Sequence, residues 1–167
     1  MGKGPKHEGT LRPALEFLGR FGTAWLVGLG VLAVVPAIER SAIQATIAGL
    51  GIASHLMKIE CVISGSDINI AGADLRIITD CTPIMSTLAL WAAMFAFPAP
   101  VPWKLGGMAT GVAVLWVFNL ARVLTLAFVL RSHPTWFGFA HVYLWQSVTL
   151  LVVLAMFVAW VRLQRAT

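Results

Sequence analysis

Long apolar runs recur four times along the chain, at about residues 18–38, 82–98, 105–130 and 141–161. A helix needs roughly 17–25 predominantly apolar residues to cross a bilayer, so three runs are long enough and the second is short. None shows the strict alternation of a membrane β-strand, and a spanning segment must satisfy its backbone groups internally. The pattern predicts an all-α integral membrane protein. We expect one domain over residues 1–167, built as a bundle of about four transmembrane helices.

The first apolar run has a second interpretation, a cleavable signal peptide. It follows four basic residues, and residues 35–37 resemble a small-residue cleavage site; the basic residues are Lys3, Lys6, Arg12 and Arg20. The apolar core of a signal peptide is usually about 7–15 residues long, and this run is longer. A retained membrane anchor is therefore the favoured interpretation.

Composition supports a membrane protein and argues against a nucleic-acid-binding one. Hydrophobic residues make up 59% of the chain and charged residues only 11%, whereas soluble domains carry about 25% charged residues. The net charge is +5, but the basic residues stand at the ends of apolar runs and form no patch. The expected partner is the lipid bilayer, with no nucleic acid.

The distribution of charge predicts the orientation in the membrane. Short loops that stay in the cytoplasm are rich in Lys and Arg, which fits the N-terminal segment, the loop with Lys104 and the tail with Arg162 and Arg165. Residues 39–81 hold five acidic and three basic residues. We therefore expect both termini in the cytoplasm and residues 39–81 outside the membrane.

The segment 39–81 is the only sizeable part predicted to lie outside the bilayer. Ile43, Ile47 and Leu50 follow helical spacing, which predicts a helix over residues 41–58 on the outer leaflet. Short strands are expected from Cys61 and from Leu75, with turns at residues 65–67 and 71–74. The pattern therefore predicts that residues 39–81 form a small insertion made of a helix and a β-hairpin.

Cys81 is the first candidate for chemistry, because it stands where the outer segment enters the second apolar run. Thr82 is expected to cap that helix and Pro83 to occupy its first position. A thiol beside a helix N-terminus tends to favour the nucleophilic thiolate. The competing interpretation is a small inert hydrophobic residue.

Arg122 is the second candidate, because it lies inside the third apolar run. At a rise of 1.5 Å per residue it is about 27 Å along the helix from Lys104, in the outer half. Asn119, Arg122 and Thr125 are spaced by three residues and form a polar stripe on one face. In the alternative interpretation, the Arg122 side chain snorkels to the outer headgroups and has no functional role. However, an intramembrane Arg that faces a bundle is usually functional.

His141 is the third candidate and begins the fourth run, again at the outer end. A Cys with a nearby His suffices for thiolate acyl transfer, with the His as base and then acid. An Arg at the same depth can stabilise the oxyanion. The remaining His residues show no metal-ligand spacing with Cys or carboxylates, so no metal and no cofactor is expected.

Three motifs together resemble the exosortase/archaeosortase family, most closely its compact exosortase H group. They are Cys81-Thr82, the stretch Asn119-Leu-Ala-Arg122, and the distal His141. The resemblance to the exosortase H group rests on Phe97-Pro-Ala-Pro and on Ala140-His-Val-Tyr-Leu-Trp-Gln146. The resemblance implies a membrane-embedded cysteine transpeptidase or protease at the outer face of a bacterial inner membrane. Its expected partners are secreted proteins whose C-terminal signal combines a recognition motif, a transmembrane helix and a basic tail.

The resemblance also implies roles for individual residues. Cys81 would be the nucleophile, Arg122 the oxyanion or substrate-positioning residue, and His141 the acid and base. The neighbouring polar side chains assigned to substrate binding are Asn119, Thr82 and Thr125. Where the family has Gly after Cys-Ser/Thr, this chain has Pro83, which has no N–H to offer a substrate.

Two other functions compete with this one. Cys61 and Cys81 share the outer compartment, where a disulfide could persist and remove the nucleophile. A membrane thiol–disulfide oxidoreductase would use such thiols, although the two are far apart in sequence and not a close pair. A non-enzymatic membrane assembly subunit would need neither thiol.

Overall fold

Helices make up 81% of the structure, a computed structural model that describes residues 8–166, with side chains from residue 12. The chain order of its elements is α1 (Glu8–Val34), α2 (Pro36–Leu56), β1 (Cys61–Ser64), β2 (Asp67–Ile70), β3 (Ala73–Arg76), a 3-10 turn (Thr79–Cys81), α3 (Ile84–Ala96), α4 (Val101–Ser132), α5 (Pro134–Phe139), a π-helical turn (Ala140–Leu144) and α6 (Trp145–Ala166).

Three helical segments within the described chain are long and apolar enough to cross a membrane: Arg12–Val34, Val101–Ser132 and Pro134–Ala166. They correspond to the first, third and fourth apolar runs. The class predicted from the sequence, a largely helical membrane protein, is thereby confirmed.

The second predicted span, 82–98, corresponds to a shorter helix. α3 has 13 residues and is about 20 Å long at 1.5 Å per residue, against a hydrocarbon core of about 30 Å. Prolines define both ends: Pro83 precedes the first helical residue, and Phe97 is extended before Pro98. Thr82 does not cap the helix as predicted, because its hydroxyl donates to the carbonyl oxygen of Thr79 at 2.7 Å.

α1 ends at Val34 instead of residue 38, and α2 begins already at Pro36 instead of residue 41. Proline is well suited to the first position of a helix and poorly suited to the interior, so Pro36 ends one helix and starts the next. Buried residues on α2 recur at helical spacing, and they are Ala42, Thr46, Ile47, Leu50 and Ser54. This face packs against α4 and the sheet.

The three strands form an antiparallel sheet in the order β1-β2-β3. Ala71 (φ 53°) and Gly72 (φ 86°) make the two-residue turn from β2 to β3, as in a type I′ hairpin. β3 begins at Ala73, two residues before the predicted start at Leu75. On the outer face Arg76 pairs with Asp67 at 2.7 Å, which holds the pKa of the Asp67 carboxyl below its usual value of 3.8.

The bundle has two ends with separate cores. At the sheet end, Ile47 and Leu50 of α2 and Ile68 and Ile70 of β2 pack against the upper part of α4. At the opposite end, here named the tryptophan end, the core consists of Leu90, Met94, Leu115 and Trp160. α4 joins the two, because it contributes Val123, Leu124 and Ala127 to the core at the sheet end and Leu115 to the core at the tryptophan end.

The tryptophan end also brings together the basic ends of the helices. Lys104 donates to the carbonyl oxygen of Phe95 at 2.7 Å. The Trp160 indole donates to the carbonyl oxygen of Trp103 at 3.1 Å, and the rings of Phe17 and Phe157 lie 6.2 Å apart. The first half of α1, the α3–α4 connection and the end of α6 therefore share one end of the bundle.

Candidate functional site

The three predicted catalytic residues line one cavity of about 300 Å³ at the sheet end. Cys81 comes from the 3-10 turn, Arg122 from α4 and His141 from the π-helical turn. Residues of β3 form another wall. The rest of the lining is largely apolar and includes Ile77, Ile78, Val123, Leu126, Leu130 and Phe137.

Cys81 ends the 3-10 turn, and its thiol is half-buried. Its Sγ lies 4.0 Å from the carbonyl oxygen of Arg76, a weak S–H···O contact. The N–H of Cys81 donates to Ile78 at 2.9 Å and that of Thr82 to Thr79 at 3.0 Å. Pro83 has no N–H. The main-chain amides of residues 81–83 therefore offer no free donor to an oxyanion.

Arg122 is 7% exposed, although it carries a positive charge. Its Nη1 lies 3.4 Å from the carbonyl oxygen of Asp80, and its Nε is buried without a hydrogen-bond partner in the described part of the chain. No carboxylate among the described residues forms a salt bridge with it. A buried charge normally needs a partner. Arg122 lines the cavity, so its guanidinium is the positively charged group there.

His141 lies on the π-helical turn between α5 and α6. π turns are rare interruptions of α-helices and are frequent at functional sites. The imidazole stacks on the ring of Phe137, with centroids 5.7 Å apart and planes inclined by 14°. This contact holds one face of the imidazole while the ring lines the same cavity as the thiol.

The three predicted substrate-binding residues do not line the cavity. Asn119 is buried, and its Nδ2 donates to the carbonyl oxygen of Cys81 at 2.7 Å. Thr82 is buried and bonded to Thr79. Thr125 is exposed and donates back to Ala121 at 2.8 Å. Asn119 therefore holds the main chain that carries the thiol.

Cys61 and Cys81 are both free thiols in the structure. Cys61 starts β1, and both side chains pack against the core at the sheet end. The thiol that lines the cavity is that of Cys81.

A larger cavity of about 480 Å³ lies at the tryptophan end, between α3, α4 and α6. Its lining consists of described residues without a titratable side chain, including Met94, Trp103, Gly107 and Trp160. Thiolate acyl transfer, the reaction expected from the sequence, needs titratable groups. The smaller cavity is therefore the candidate active site.

No family model, no curated protein and no solved structure matches this chain.

Two parts of the site were not predicted from the sequence. One is the contact between Asn119 and the Cys81 carbonyl, which joins residues 38 positions apart. The other is the wall formed by β3. The turn signal at residues 71–74 indicated a hairpin, but nothing in the sequence indicated which edge would face the thiol.

Proposed function

We propose that this protein is a membrane-embedded cysteine peptidase or transpeptidase that cleaves C-terminal sorting signals of secreted proteins, as the resemblance to exosortases suggests. The observation that carries the proposal is one cavity lined by a free thiol, an imidazole and a buried guanidinium that forms no salt bridge with a described residue. These are the groups that thiolate acyl transfer requires.

The reaction begins with transfer of the Cys81 thiol proton to His141. The thiolate then attacks the scissile carbonyl carbon of the substrate and forms a tetrahedral oxyanion. As the C–N bond breaks, the imidazolium returns its proton to the leaving amine, and the acyl group stays on Cys81 as a thioester. Water or an amine of an envelope acceptor then attacks the thioester, releases the acyl group and restores the thiol.

Arg122 has the central electrostatic role in this scheme. Its side chain lines the cavity together with the thiol, and the main-chain N–H groups of residues 81–83 are already used or absent. The side chain is therefore the donor that stabilises the oxyanion. Pro83 accounts for this dependence, because a residue with an N–H at that position could have contributed a backbone donor.

The proposed orientation places the sheet end outside the bacterial inner membrane and both termini in the cytoplasm. Lys104 lies at the tryptophan end and the candidate site at the other, as the preference of basic loops for the cytoplasm requires. In this orientation a substrate helix would lie beside the bundle with its motif at the sheet end. α3 would complete the bundle as a short fourth helix.

The test compares envelope proteins of host cells that lack the protein and are complemented with wild type, Cys81→Ala or Cys61→Ser. Mass spectrometry identifies the C-termini of secreted proteins that encode a C-terminal apolar helix followed by basic residues. We expect new C-termini before the helix with wild type and Cys61→Ser, and none with Cys81→Ala. Retained processing with Cys81→Ala would refute the mechanism, and loss with Cys61→Ser would favour a redox function.

A further inference from the structure

β3 has one edge without a strand partner in the described chain, since the sheet order is β1-β2-β3. The turn at Ala71 and Gly72 makes Ile70 and Ala73 a hydrogen-bonded pair, and such pairs alternate along an antiparallel ladder. The next hydrogen-bonded pair is Ile68 with Leu75. The main-chain groups of Asp74 and Arg76 consequently point away from β2.

Two contacts agree with this assignment. The N–H of Ile77, two residues beyond Leu75, donates to Ser66 on the side of β2 at 2.9 Å. On the other side, the carbonyl oxygen of Arg76 lies 4.0 Å from the Cys81 thiol. The open edge of β3 therefore faces the nucleophile, and its residues Asp74, Leu75 and Arg76 line the cavity.

The groups that this edge offers to a ligand are main-chain N–H and C=O groups. The Asp74 carboxylate accepts a hydrogen bond from Asn69 at 2.7 Å, and the Arg76 guanidinium is paired with Asp67 at 2.7 Å. Both side chains are thus used on the outer face of the sheet. Free backbone donors and acceptors in a row are complementary to another extended backbone.

We propose that the substrate binds as an added strand on the open edge of β3, which brings its scissile carbonyl to Cys81. This inference rests on the proposed function and adds the binding mode. The occupant is an extended peptide segment in which alternate residues pair with Asp74 and Arg76. Because the opposite wall contains Leu126, Leu130 and Phe137, the side chains directed into the cavity are apolar.

Strand pairing has a signature with a period of two residues, because only alternate N–H groups of a strand face its neighbour. The probes are acetyl-tripeptide chloromethyl ketones with apolar side chains, used on the purified full-length protein in lipid nanodiscs. Their alkylation of Cys81 is measured relative to iodoacetamide and needs no turnover. A parallel series carries one N-methyl group at each successive peptide nitrogen.

We expect the peptidyl probes to alkylate Cys81 faster than iodoacetamide does. N-methylation should slow this reaction by about fivefold or more at one nitrogen and leave it nearly unchanged at the next, since a net hydrogen bond is lost only at alternate positions. A uniform effect, no effect, or no advantage of the peptides over iodoacetamide would overturn the proposal.

A matched pair of variants tests the protein side of the same contact. Arg76→Pro removes an N–H at the open edge, where proline is tolerated, and Arg76→Ala removes the same side chain but keeps the N–H. We expect Arg76→Pro to lose the rate advantage of the peptidyl probes and Arg76→Ala to keep it, with each rate expressed relative to iodoacetamide labelling of the same variant. Equal behaviour of the two variants contradicts strand addition and leaves the cysteine mechanism intact. Retained processing by Cys81→Ala would instead refute the cysteine mechanism itself, so the two failures can be distinguished.

Discussion

Arg122 is the residue whose position is hardest to explain by structure alone. A buried charge without a carboxylate partner reduces stability, and an apolar residue of similar size often replaces one at no cost or with a gain. The chain nevertheless retains a guanidinium here, 7% exposed and with its Nε unpaired among residues 8–166. Stability and activity should therefore respond in opposite directions to its removal.

We expect Arg122→Leu to leave the thermal midpoint unchanged or higher while reducing processing about 100-fold or more, the usual effect of losing an oxyanion donor. Thermal unfolding in one detergent and quantified cleavage products give the two readouts. The control is Arg131→Leu, the same change at an exposed position of the same helix, where neither quantity should move. Normal processing by Arg122→Leu would contradict the proposal that Arg122 stabilises the oxyanion.

Asn119 differs from Arg122 because its amide is already used. Asn119→Ala leaves the Cys81 carbonyl without the donor at 2.7 Å, and an unsatisfied buried acceptor costs about 1–3 kcal/mol. We expect the free energy of unfolding to fall by that amount. Iodoacetamide alkylation of Cys81 in the folded protein should also change, because the main chain that carries the thiol loses its hydrogen bond to Asn119.

Thr125→Ala is the matched control for Asn119→Ala. Thr125 belongs to the same predicted stripe, but it is exposed and bonded to its own helix. Its removal should change the free energy of unfolding by less than about 0.5 kcal/mol and leave alkylation unchanged. Equal effects of the two substitutions would mean that the Asn119 contact does not position Cys81.

The extent to which the site follows from the sequence can be traced residue by residue. Placing Cys81, Arg122 and His141 at one level required only helix rise and the ends of apolar runs. Spacing by three along α4 also grouped Asn119 with Thr125, yet one is buried and the other exposed. Spacing alone fixes neither helix rotation nor partners, and these depend on how α2 and the sheet pack on α4.

At the scale of elements, prolines explain most differences between predicted and observed boundaries. Apolar composition continues across Val35 and Pro36, so hydropathy extends the first helix to residue 38 although it ends at Val34. Pro83 likewise shifts a boundary, because α3 begins after it, at Ile84, and not at residue 82 as predicted. The π-helical turn at Ala140–Leu144 joins α5 to α6 and was not predicted, because its residues continue the apolar run into α6.

Close helix packing at the tryptophan end depends on Gly107. A Cβ added there would meet the Trp160 indole, which is held by its hydrogen bond to Trp103. A Cβ on the neighbouring Gly106 meets nothing within 4 Å. Small residues at such contacts allow membrane helices to approach each other closely.

Alanine substitutions at these two glycines should therefore change the free energy of unfolding in opposite directions. We expect Gly107→Ala to lower the free energy of unfolding by about 1–3 kcal/mol through overpacking, and Gly106→Ala to raise it by up to about 1 kcal/mol through helix propensity. Thermal unfolding of both in one detergent provides the comparison. Stabilisation by Gly107→Ala would contradict the packing of α4 against α6.

At the scale of the whole molecule, the depth of the site follows from two independent lengths. α3 extends about 20 Å from the tryptophan end toward Cys81. Asn119, which bonds to the Cys81 carbonyl, lies about 22 Å along α4 from Lys104 by the same rise. If the tryptophan end marks the inner boundary of a core about 30 Å thick, Cys81 lies several ångströms below the outer boundary. Irregular backbone at such depth is tolerated where it lines a cavity.

The proposed orientation, in which a recessed thiol faces outward, predicts that labelling depends on the side and on the size of the reagent. In intact spheroplasts we expect a small charged methanethiosulfonate to modify Cys81 from outside, and a bulky membrane-impermeant maleimide to react much more slowly. Wild type, Cys61→Ser and Cys81→Ser assign the signal to one thiol. A cysteine introduced at Arg165 in a chain without Cys61 and Cys81 should react only after the membrane is opened, since the proposed orientation places the tail in the cytoplasm.

Each result of this labelling has a separate meaning. Labelling of Cys81 from outside with Cys61 present supports an accessible nucleophile in the orientation proposed here. If Cys81 reacts only after reduction, the two thiols form a bridge in the cell, and a structural or redox function becomes the better hypothesis. If the cysteine at position 165 reacts in intact spheroplasts, the orientation is inverted. Cleavage at an outer surface would then be excluded, because the sheet end and its cavity would face the cytoplasm.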